Sequence, residues 1–74
     1  MILQVRQGET VFEVDVPRGC RVQRGSGGIP ILIVPGPRPE DTSTWLPAPE
    51  ILQAARLGLL GLSVRSEARP VSLG

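Results

Sequence analysis

With 74 residues the chain has room for one domain, and a domain of this size buries only about 60% of the surface its unfolded form exposes, so its margin over chain entropy is thin. One cysteine and no histidine exclude an intrachain disulfide and a Cys/His zinc site as extra support, which leaves oligomerisation. A net charge of +1 does not demand a polyanionic partner, and two aromatic residues, Phe12 and Trp45, are too few for a single-strand stacking platform.

All the basic residues are arginine. Beside so much Gly, Pro, Ala, Val and Leu, this reads as the coding bias of a GC-rich genome rather than a choice of bidentate contacts. The opening Met1-Ile2-Leu3-Gln4-Val5-Arg6 lacks the basic region, long apolar core and cleavage site of a secretory signal. The expectation is a cytoplasmic protein with no membrane contact.

Ile2 to Gln7 and Thr10 to Val16 read as two strands joined by Gly8-Glu9, a Gly-X pair that suits a type II′ turn. Pairing Gln7 with Thr10 sets Val5 opposite Phe12, Leu3 opposite Val14 and Met1 opposite Val16. One face is then apolar, and Arg6 lies diagonal to Glu13 on the other. Pro17-Arg18-Gly19 reverses the chain, which would place Val14 opposite Val22. A further reversal at Gly25-Ser26-Gly27-Gly28, with Arg24 opposite Ile29, would place Val22 against Ile31 and Cys20 against Ile33. The run Ile29-Pro30-Ile31-Leu32-Ile33-Val34-Pro35 is too short for an ordinary helix or a membrane span, so it predicts a strand. Pro30 makes it an edge strand, with Leu32 and Val34 on an exposed second face open to a partner.

Residues 36–48 form a proline-rich connection in which Trp45-Leu46 tucks down onto the sheet. Pro49 at a first helical turn, Glu50 beside the N-terminal dipole and Gly61 as a stop predict a helix from Pro49 to Leu60. Its stripe of Ile51, Leu52, Ala55 and Leu59 faces the sheet, with Ala54 and Gly58 on the shoulder. Leu57 and Leu60 fall on the opposite side. Residues 62–74 give a short strand near Leu62 to Ser66, a breaker at Pro70 and a tail.

Chemistry is sparse. The Gly25–Gly28 loop lacks the lysine and following helix of a P-loop, so it reads as a hairpin loop. Cys20 has no histidine to deprotonate it and points toward the core. Glu13, Asp15, Glu40 and Asp41 read as solvated surface charge rather than acid/base or metal-binding groups. Arg18, Arg21 and Arg24 recur every third residue, a spacing that sends Arg21 and Arg24 to opposite sides of a strand.

The first hairpin resembles that of ubiquitin-like β-grasp domains, whose helix follows the hairpin directly, whereas here two strands intervene. Pro49-Glu50 with Leu57-Gly58-Leu59 before a strand resembles swapped-hairpin transcription factors, without the basic strand that precedes theirs. No family is assigned. The sequence predicts an α+β domain: a four- to five-stranded antiparallel β-meander with one helix in its C-terminal half packed on the apolar face. The expected function is a non-enzymatic protein-protein interaction or assembly module that forms a homodimer through Leu32, Val34, Leu57 and Leu60. No cofactor or metal is expected. The alternative is a nucleic-acid-binding or regulatory protein using Arg18, Arg21 and Arg24.

Overall fold

The computed structural model describes residues 1–68, so the breaker at Pro70 and the tail lie outside the described residues. The fold is α+β, with six strands in two antiparallel sheets of three and one α-helix among the described residues. Strands β1 (Ile2–Gln7) and β2 (Thr10–Asp15) adopt the predicted register, with Gln7 opposite Thr10, Val5 opposite Phe12 and Leu3 opposite Val14. The Val16 N–H donates to Met1 O at 2.8 Å and extends the ladder. Gly8 takes φ 63° while Glu9 stays at negative φ, the pair of signs that a type II′ turn needs. Alternation then buries Leu3, Val5, Phe12, Val14 and Val16 on one face.

The predicted single meander is corrected at Pro17. β2 does not pair with the segment after Gly19; its free edge is taken instead by β6 (Ser63–Ala68), in the order β1-β2-β6. Val14 lies opposite Val64 and Glu13 opposite Ser66, and the extra residue between them on β6, Arg65, makes a bulge. The physical reason is coverage. One meander with one helix buries a single sheet face, whereas two sheets turn both inner faces and the helix toward a common core. That core joins Leu3, Val5, Phe12, Val14 and Val16 to Leu32, Val34, Leu46, Ile51, Leu52 and Leu62, with Cys20 and Val22 packed partly against it.

The second sheet has the order β3-β4-β5, from β3 (Arg21–Arg24), β4 (Pro30–Val34) and β5 (Thr44–Pro47). Its register is one residue from the predicted one, with Arg24 opposite Pro30, Gln23 opposite Ile31 and Val22 opposite Leu32. The turn explains the shift. Gly25 N–H donates to Ile29 O at 2.9 Å and Gly28 N–H to Gly25 O at 3.1 Å, so Gly25 pairs with Ile29 around a three-residue turn, Ser26–Gly28. Gly27 and Gly28 supply its left-handed corners at φ 71° and 76°.

A one-residue slip exchanges the faces of a strand. Leu32 and Val34 therefore point into the core, Leu32 with no exposed surface. β4 is also central rather than an edge strand, and Pro30 is accommodated as its first residue. On its far side Leu32 faces Leu46 and Ile33 faces Trp45. The end of the connection is thus a strand: Leu46 is buried as predicted, while Trp45 points outward and is 57% exposed.

The helix α1 spans Ala48–Leu57, shorter at its end than predicted. Gly58, not Gly61, stops it, with φ 68° and its N–H on Ala54 O and Ala55 O, a left-handed cap that satisfies the last carbonyls. Ile51, Leu52, Ala54 and Ala55 are buried. Arg56 stacks 5.0 Å over the Phe12 ring and ties the helix to the first hairpin. Because the chain leaves the helix at Gly58, Leu59 falls in a following turn, Leu59–Gly61, and is exposed rather than packed on the sheet.

Candidate interaction site

The end of α1 presents three exposed leucines that lie close together. Leu57, Leu59 and Leu60 are 64%, 52% and 47% exposed and line a shallow groove of about 280 Å³ with Leu46, Glu50, Gln53 and Ala54. Two of these leucines, Leu57 and Leu60, are the predicted ones, and the turn adds Leu59. Leu60 has φ 57°, the only non-glycine residue at positive φ among the described residues. An L-residue there costs about 1–2 kcal/mol, and glycines at 58 and 61 flank it at φ 68° and 74°. The sequence reading placed Leu59 on the buried stripe because it took Gly61 as the helix stop and Gly58 as a shoulder position, whereas the stop at Gly58 leaves Leu59 outside the helix.

The other predicted contact residues, Leu32 and Val34, are buried core side chains, Leu32 with no exposed surface and Val34 nearly covered, so neither offers a contact to a partner. The outer face of the second sheet carries half-buried Ile31 and buried Ile33, with exposed Trp45 and Pro47 across from them on β5. Neither isoleucine belongs to the core cluster. The signal was present in the sequence, since every residue of this run is apolar and either register leaves an apolar outer face.

Arg18, Arg21 and Arg24 are all exposed but do not converge. Arg21 lies on the outer face of β3, in line with Ile33, whereas Arg24 lies on the other face and its Nη1 donates to Gly28 O at 3.0 Å. The carboxylates are taken up locally: Asp41 meets Arg38 at 3.4 Å, Glu40 meets it at 3.6 Å and Asp15 meets Arg65 at 3.8 Å. Glu13 accepts from Ser66 Oγ rather than turning toward Arg6. Burial pushes the Cys20 thiol above its ordinary range, which disfavours the thiolate that nucleophilic chemistry needs. Among the described residues no three of the Cys, Asp and Glu side chains gather to hold a metal ion, and no helix is long and apolar enough to cross a membrane.

No family model, curated protein or solved structure matches this chain.

Proposed function

We propose that this protein is a non-enzymatic assembly module that forms a homodimer through Leu57, Leu59 and Leu60. The observation that carries the reading is the gathering of these leucines around a groove lined by Leu46 and Ala54, with Leu60 held outward by a backbone conformation unfavourable to it. Strain of this kind persists where the surroundings hold it and clusters at functional positions. A self-complementary contact places the same patch on both subunits, so each copy's leucines seat against the other's groove while Glu50 and Gln53 stay at the wet rim. The thin margin of a small domain supports the same reading, since burying these side chains adds apolar area that one copy leaves in water.

The test is solution mass by light scattering over a range of protein concentration, for the native chain and for Leu57→Asp with Leu60→Asp. The expected result is a native dimer and a folded monomeric variant. Leu60→Gly sharpens the result: it removes the side chain and relieves the backbone, so association weakens while the monomer keeps its stability. A native chain that stays monomeric at every concentration would overturn the proposal.

The reading as a nucleic-acid-binding protein through Arg18, Arg21 and Arg24 draws less support, because these side chains share no face. Salt separates the two, since phosphate contacts weaken steeply as salt rises and an apolar contact does not.

A further inference from the structure

The glycine turn that the assembly reading leaves unused forms one wall of a cleft of about 450 Å³, facing Gln4, Arg6 and Gly8 of the first hairpin across Arg24, Gly27 and Gly28. We infer that this cleft binds a small phosphate monoester, with Arg6 and Arg24 as its two cationic contacts.

The lining carries two arginines and no carboxylate. Elsewhere Arg38 and Arg65 are paired with acids and Arg56 lies over Phe12. Arg6 and Arg24 make no ion pair among the described residues, nor do Arg18 and Arg21, but only Arg6 and Arg24 line one opening. They come from separate hairpins, and the packing of the two sheets brings them to one opening. Two positive charges at a common opening without a counter-charge favour an anion, and the planar guanidinium matches the oxygens of a phosphate.

Arg24 is also held in place. Its Nη1 donates to Gly28 O at 3.0 Å, which fixes the side chain along the turn and leaves most of its five donors for a ligand. At Gly27 and Gly28 a Cβ would meet nothing within 4 Å, so the turn sets no side chain between the backbone and the cleft. The rest of the lining is apolar: Ile29, Pro30 and Ala48, with Ile29 54% exposed. That wall suits the organic body of a monoester better than a bare anion, and the volume lies in the range of about 300–1,000 Å³ typical of small-molecule sites.

The experiment is a titration of the whole ¹⁵N-labelled chain with AMP, with inorganic phosphate and with a short single-stranded oligonucleotide, read by NMR. The expected result is saturable shifts centred on Arg6, Gly27, Gly28 and Ile29, with AMP tighter than inorganic phosphate. Arg6→Gln removes no hydrogen bond among the described residues and weakens AMP about tenfold, the value of a charge-assisted contact. Arg24→Gln also loses the bond to Gly28, so Arg24→Lys, which keeps the charge, is compared with it and retains part of the affinity. Arg21→Gln, outside the cleft, leaves AMP binding unchanged. Absence of saturable shifts would overturn the inference. So would an equal loss in Arg21→Gln, or oligonucleotide binding that depends on Arg18 and Arg21 as much as on Arg6, which would assign the charges to a strand-binding surface.

Discussion

The two sheets specify their registers by different means. In β1 and β2 apolar side chains alternate with Gln4, Arg6, Glu13 and Asp15, so a one-residue slip would bury charge and expose Val5 and Val14. In β4 no residue is polar, and a slip only exchanges Leu32 and Val34 for Ile31 and Ile33. Alternation determines the first register. The second is determined by the turn, where Gly25 pairs with Ile29, and by the width of the core that Leu32 fills. An unpatterned strand also leaves a mark on the surface, because its outer face stays apolar and carries Trp45 beside Ile33.

The largest effect that tests this contrast comes from paired truncations in β4. Leu32→Ala should cost about 2–5 kcal/mol, as for other buried leucines, and Ile31→Ala well under half as much, both read from urea unfolding. The opposite ranking would put Ile31 in the core and break the register. Connections on either side of the contrast differ too. A Cβ at Gly36 would overlap Asp41 Cβ and press on Thr42 O at 3.2 Å, so Gly36→Ala should cost about 1–3 kcal/mol by overpacking. Gly8 has open space around it and only its positive φ to protect, so Gly8→Ala should cost about 1–2 kcal/mol in thermal melts.

The smallest effect in stability is at Trp45, yet it sharpens the comparison most directly. Replacing it with Thr, a strand former, should change stability by less than about 1 kcal/mol, since the indole is mostly in water. Its fluorescence should be red-shifted and open to acrylamide at all protein concentrations. Protection that grows with concentration would move the dimer contact from the leucine groove to the outer face of the second sheet.

Much of the first hairpin was legible because three local signals agreed: the Gly8-Glu9 turn, an alternation broken only by Ile2 and Val11 on the outer face, and paired strand lengths. The buried stripe of α1 was legible for the same reason, with Ile51 and Leu52 each about one helical turn from Ala55. Of the candidate site, Leu57 and Leu60 were readable as off-face leucines. Leu59 was not, because choosing between Gly58 and Gly61 as the stop depends on where the chain must turn to enter β6. Leu32 and Val34 were assigned to the wrong face because a loop of Gly25–Gly28 can close with three or four residues outside the ladder, and apolar residues on both sides offer no penalty to decide between them. The approach of Arg6 to Arg24 had no local signal, since it exists only through the packing of one hairpin on the other.

By itself the sequence determined the α+β class, the first hairpin and its register, the existence of α1 and the inward side of that helix. These depend on periodicity and turn chemistry, which act over a few residues. Tertiary structure alone decided that the strands divide into two sheets, that β6 rather than β3 completes the first, and which face of β4 enters the core. Those choices set one distant segment against another, and the chain settles them by the burial that each arrangement achieves around the shared helix.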